Sequence, residues 1–120
     1  MITAKYLIDN PTHIFVFGDN SLHRGTKGAA ALRYHSNSYG FITKKYPSYK
    51  DDAYYKPKEY ELIFKRELDK LIDIIKHSPN NLFLISMLGA GLANKYHIFE
   101  KVIEPQIKDK LDFQNVKFLW

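Results

Sequence analysis

Apolar residues fall along this chain in short dense runs separated by polar or glycine-rich turns. His13–Phe17 is a continuous run of β-favouring residues ending at Gly18, the pattern of a strand buried on both faces. Leu82–Ser86 has the same character, and Tyr39–Lys44 and Val116–Trp120 read as further strands. Ile2–Ile8 reads as containing a short fifth strand, turned by Asp9-Asn10-Pro11. Between these runs the period changes. Tyr60, Ile63, Phe64, Leu68, Leu71, Ile72 and Ile75 recur at helical spacing, with Pro57 suited to the first helical position and Ser78-Pro79-Asn80-Asn81 as the stop. Gly28–Tyr34 is alanine-rich and predicts a short helix packed closely on a sheet. Ile98, Val102, Ile103, Ile107 and Leu111 mark a last helix that Pro105 kinks or divides. Tyr46–Lys56 has no period and is expected to be an ordered surface loop. Strands apolar on both faces, alternating with helices, predict an α/β fold built as a three-layer α/β/α sandwich.

Length and composition narrow the picture. A chain of 120 residues has room for one domain, taken as residues 1–120, and 45% apolar with 15% aromatic residues fill a core. The longest apolar runs are far shorter than the ~20 residues a membrane span needs, so no membrane partner is expected. No basic-then-apolar leader opens the sequence, and with no cysteine there is no disulfide framework, thiolate metal site or thiol nucleophile. A reducing, cytoplasmic setting fits. The five histidines lack metal-ligand spacing, so no metal is expected and no cofactor is implied. The net charge of +5 favours an anionic partner such as a nucleotide, a polyphosphate or DNA, and its spread along the chain without a basic tail disfavours a nonspecific DNA coat.

In parallel α/β sheets, ligands bind beyond the carboxyl ends of the strands. Three segments rich in small and polar residues fall there. Gly18-Asp19-Asn20 runs on to Gly25-Thr26-Lys27-Gly28-Ala29-Ala30, Lys44-Lys45 follows Phe41-Ile42-Thr43, and Leu88-Gly89-Ala90-Gly91-Leu92-Ala93-Asn94 follows Leu82–Ser86. A glycine-rich turn leading into a helix offers unpaired backbone N–H groups to a phosphate, and Gly89 and Gly91 allow close backbone approach. Adjacent strand residues point to opposite faces, so only one of Lys44 and Lys45 can face a pocket. Partial burial there would free a lysine amine as a nucleophile. The glycine loops match neither a Walker A nor a Rossmann fingerprint, which disfavours an ATPase or a dehydrogenase.

The order Gly25–Arg33, then Phe41-Ile42-Thr43-Lys44-Lys45, then Ile85–Leu92 followed by Phe99-Glu100, resembles the macrodomains. It is most similar to the branch that holds the terminal ADP-ribose–protein glycohydrolase and the antitoxins that remove ADP-ribose from thymidine in DNA. The resemblance spans roughly Phe15 to Trp120. It implies a macrodomain-like fold with a mixed central sheet of about five strands, and ADP-ribose as ligand. Asn20 would contact the distal ribose, and Gly25 to Ala29, including Lys27 and Gly28, would pass under the diphosphate. Lys44 would attack the anomeric carbon of the opened sugar, and Gly89 to Ala93 would wrap the diphosphate from the other side. Asp9 or Asp19 would replace the family's adenine-side aspartate.

The sequence also departs from that pattern. Ala93 stands where the protein-directed glycohydrolase has its catalytic aspartate, and alanine cannot move a proton. The DNA-directed relatives tend to have a small residue there too. Asn94 beside it would at best orient a water. Thr26-Lys27 makes the first loop longer and more basic than usual. The expected function is therefore binding of ADP-ribose or a related NAD-derived nucleotide, with hydrolysis of ADP-ribosyl adducts by Lys44, ADP-ribosylated DNA among them. The alternative is a non-catalytic module that sequesters ADP-ribose or a cyclic NAD-derived signal, as a phage counter-defence protein would. A third is an α/β domain acting through protein contacts.

Overall fold

The computed structural model describes residues 1–120. A first helix, α1 (Ala4–Asp9), precedes strand β1 (His13–Asn20), and strand β2 (Ser38–Lys44) leads to the long helix α2 (Pro57–His77). Strand β3 (Leu82–Ile85) is followed by a π-helical turn (Phe99–Ile103), the short helix α3 (Ile107–Lys110) and strand β4 (Val116–Phe118). The sheet has the order β2-β1-β3-β4, and all three pairings are parallel.

The α/β reading holds, but the mixed macrodomain-like sheet of about five strands does not form: this chain makes four strands, all parallel. The missing strand is the N-terminal segment. Thr3 caps α1 by accepting from the Tyr6 N–H at 3.0 Å, and Ile2, Tyr6 and Leu7, spaced as on a helix, pack with Phe15, Phe17 and Ala30. The expected helix over Gly28–Tyr34 is only a 3-10 turn, Gly28–Ala30, and the chain runs on in turns whose N–H groups reach three residues back, Arg33 to Ala30 and His35 to Leu32. The last helix is divided, as Pro105 predicts. The loop Tyr46–Lys56 is ordered, yet Ala53, Tyr54 and Tyr55 are buried.

Alternation along β1 assigns its two faces. Val16 joins the larger core with Phe64, Leu71, Ile75 and Ile103 from α2 and the π-helical turn, whereas Phe15 and Phe17 join the smaller one under α1. The exposed side of edge strand β2 is closed by α2 side chains. Glu67, 4% exposed, accepts the Ile42 N–H at 2.8 Å, and the Tyr60 hydroxyl donates to the Ile42 carbonyl at 2.5 Å. No helix is long and apolar enough to cross a membrane.

Tyr60→Phe keeps the ring and leaves the Ile42 carbonyl without that donor. It should destabilise the fold by about 1–3 kcal/mol, read from the urea midpoint. An unchanged midpoint would show that the Ile42 carbonyl is satisfied without Tyr60.

Candidate functional site

β1 is flanked by β2 on one side and β3 on the other, so the chain leaves β1 in one direction and later returns to its opposite edge. The crevice beyond the carboxyl ends of β1 and β3 is the topological switch point of the sheet. A cavity of about 650 Å³ opens there, within the usual range for small-molecule sites. Gly18, Asp19 and Asn20 line it from β1, and Thr43 and Lys44 from β2. The loop after β1 contributes Arg24 through Ala30. Pro47, Ser48 and Tyr49 follow β2, and Met87, Gly89, Gly91, Leu92 and Ala93 follow β3.

Asp19, Asn20, Gly25, Lys27, Gly28, Ala29, Lys44, Gly89, Gly91, Leu92 and Ala93, all singled out in the sequence, come together in this one cavity. Ala90 and Asn94 stand off it. Asn94 is spent on the π-helical turn: its Oδ1 accepts the Phe99 N–H at 3.0 Å and its Nδ2 donates to Glu100. Asn20 is committed to its own loop, donating to the Arg24 carbonyl at 2.7 Å and accepting the Leu22 N–H at 3.1 Å. Asp9 lies outside the cavity and pairs with Lys5 on α1. Arg24, Thr43, Pro47, Ser48, Tyr49 and Met87 line the cavity without having been singled out as site residues. Thr43 and Met87 fall within the motif segments quoted above, whereas the fold alone brings Arg24, Pro47, Ser48 and Tyr49 here.

The two glycine-rich loops carry the most distinctive feature. None of the backbone N–H groups of residues 24–29 finds an acceptor in the chain, and the same holds for Met87, Gly89, Gly91, Leu92 and Ala93. The helix dipole adds little, because the helical turn after the first loop has only three residues. The loops touch each other: a side-chain carbon on Gly28 would stand 2.9 Å from Leu92 Cδ1. Gly89 has φ +78°, and a Cβ there would meet Ile103 Cδ1 at 2.7 Å, so the second loop can turn this way only with glycine.

Electrostatics add to the donors. Asp19 is the one carboxylate lining the cavity, and Arg33 neutralises it with bonds of 2.9 and 2.5 Å. Burial would raise the Asp19 pKa, but the bonds from Arg33, His23 and the Asn20 N–H outweigh it and hold the carboxyl below its ordinary value. What remains unbalanced at the cavity is the positive charge of Arg24, Lys27 and Lys44. Lys44 Nζ donates to the Ser48 carbonyl at 2.8 Å and lies over Tyr49 and Tyr54, with ring centroids at 5.4 and 4.7 Å. Burial lowers its pKa. Lys45 instead pairs with Glu59 of α2 at 3.2 Å. Lys95 Nζ also lies 5.3 Å from the centroid of the buried Tyr54, whereas Tyr49, largely exposed, lines the cavity and is the ring open to stacking. No group of three or more His, Cys, Asp or Glu side chains converges to hold a metal ion.

Residues 1–96 match the profile of a family described as "Family of unknown function (DUF7831)". No curated protein and no solved structure matches the chain.

Gly40 lies beside Asp19 in the sheet, and a Cβ on it would stand 2.9 Å from both Cβ and Cγ of Asp19. Gly40→Ala should therefore displace the buried carboxylate and cost about 1–3 kcal/mol. The urea midpoint checks it, and a wild-type midpoint would mean that Asp19 moves aside freely.

Proposed function

The chain belongs to DUF7831, a family of unknown function, and within it we propose that the switch-point cavity binds ADP-ribose or a closely related NAD-derived nucleotide. The observation that carries this reading is the pair of loops with unpaired backbone N–H groups lining one cavity of about 650 Å³. Such groups are donors without acceptors, and a diphosphate is an acceptor that spans two of them. Arg24, Lys27 and Lys44 supply the compensating charge, and Tyr49 offers a flat apolar face for a base. The identity of the nucleotide comes from the loop motifs of the sequence, the capacity for an anion from the cavity.

Binding without turnover is the reading the geometry supports best. Ala93 brings no proton-transfer group, and Asp19 is fully engaged by Arg33, His23 and the Asn20 N–H. Sequestration of a nucleotide needs neither. A second reading, hydrolysis of an ADP-ribosyl adduct on DNA or protein, is favoured by one observation: burial lowers the pKa of Lys44, which enlarges its free-amine fraction. Lys44 Nζ would leave the Ser48 carbonyl and attack the anomeric carbon, displacing the DNA or protein group, which departs with the amine's proton. Water would then add to the ADP-ribosyl–lysine adduct, releasing ADP-ribose and restoring the amine.

Calorimetry should give a micromolar or tighter complex with ADP-ribose. AMP, which can satisfy one loop at a time, should bind at least about tenfold more weakly, and so should NAD; a tenfold difference is about 1.4 kcal/mol, the scale of a single charge-assisted hydrogen bond. The absence of any heat with ADP-ribose would overturn the reading. Lys44→Ala separates the two versions. Sequestration predicts that the ligand is recovered unchanged from wild type. Hydrolysis predicts a product that Lys44→Ala does not form, at a rate that rises with pH through a pKa below the ordinary lysine value.

A further inference from the structure

We infer that Arg33 is a positioning residue that sets the Arg24–Thr26 turn as a cradle for a phosphate-type oxyanion. The inference rests on the reading above only in taking the ligand to be anionic. The Arg33 side chain is 7% exposed and does not line the cavity. Its Nε donates to the Gly25 carbonyl at 2.7 Å and its Nη2 to the Arg24 carbonyl at 3.1 Å, while both terminal nitrogens bond Asp19. Its guanidinium also lies over the Phe17 ring, with the centroid at 5.4 Å. Asn20 adds a second bond to the Arg24 carbonyl, at 2.7 Å.

Peptide planarity converts these bonds into a function. No peptide bond in the chain is cis, and in a trans unit the C=O and the following N–H point in opposite directions. Drawing the Arg24 and Gly25 carbonyls toward Arg33 turns the N–H groups of Gly25 and Thr26 away from it. Arg24, Gly25 and Thr26 line the cavity, and neither of these two N–H groups has an acceptor in the chain. Gly25 adopts φ +93°, the left-handed conformation that lets successive N–H groups converge on one anion. The guanidinium thus makes the nest without touching what occupies it.

The test is an NMR titration of backbone amides with inorganic pyrophosphate as probe. In wild type, the Gly25 and Thr26 amides should shift. Arg33→Lys keeps a cation beside Asp19 and loses the fork, so pyrophosphate affinity should fall by at least about tenfold. In Arg33→Ala, millimolar guanidinium should restore part of the affinity and the Gly25 and Thr26 shifts, and sodium chloride of equal ionic strength should not. Should both Arg33 variants fail to fold, Asn20→Ser, which removes the other donor to the Arg24 carbonyl, should weaken the probe by about threefold, consistent with a net neutral hydrogen bond. Wild-type affinity in Arg33→Lys, or in Asn20→Ser where that variant decides, overturns the inference. So do wild-type amides that ignore pyrophosphate. ADP-ribose that binds without moving these amides sinks the inference alone, and pyrophosphate that moves them while ADP-ribose does not bind sinks the nucleotide reading alone.

Discussion

The buried ion pair between Asp19 and Arg33 is the constraint around which this end of the molecule is arranged. The Asp19 carboxylate is 1% exposed, and removing such charges from water costs several kcal/mol per ion unless each is fully partnered. Here they are. One carboxylate oxygen takes Arg33 and the Asn20 N–H, the other takes Arg33 and His23, and the remaining guanidinium donors reach the loop carbonyls. Breaking one partner strands the other, a loss of about 3–5 kcal/mol, so the assembly forms as a whole or not at all. It ties three elements together: the end of β1, the neighbouring glycine of β2 that leaves room for the carboxylate, and the loop whose N–H groups remain unpaired.

The sheet sets where that pair can act. Four parallel strands end on the same side, and the order β2-β1-β3-β4 puts the gap between outgoing and returning chain directly beyond β1 and β3. The larger core holds this platform from one face through α2 and the π-helical turn, while the other face carries only α1 and the Gly28–Leu32 stretch. The loop that lines the cavity is thus attached to the thinly covered face. Packing alone would hold it poorly there, and the polar network of Arg33 compensates.

Much of this was legible in the sequence where periodicity or chain chemistry is local. β1, β2, β3 and α2 showed as apolar runs or helical spacing, and small residues at strand ends pointed to one cavity. The N-terminal strand was misread because Ile2–Ile8 is too short for its period to decide. The Thr3 cap and the Ile2, Tyr6, Leu7 spacing are the signals that distinguish it, and with that strand the five-stranded mixed sheet falls. Tyr54 and Tyr55 looked like surface residues because their burial depends on a bridge between Lys44 and Tyr54 and on α2. Arg33 gave no local signal at all. Its meaning lies in contacts 14 residues back at Asp19 and 8 residues back at Gly25, which no motif encodes.

The network around Arg33 also bears on whether the site holds its ligand or transforms it. Donors fixed before binding recognise an anion in its ground state, and binding that is equal in the ground and transition states does not accelerate a reaction. Acceleration requires a group whose interaction grows along the reaction coordinate. Among the cavity's ionisable side chains, Asp19 is fully bonded and Lys44 has a pKa drawn down by burial. Yet its ammonium also gains from two tyrosine faces and the Ser48 carbonyl, interactions that a neutral amine largely forfeits. Burial and this cage pull in opposite directions on one nitrogen. A ligand that displaces Ser48 and Tyr49 from Lys44 would tip the balance toward the amine, and one that leaves them in place would meet a fixed cation.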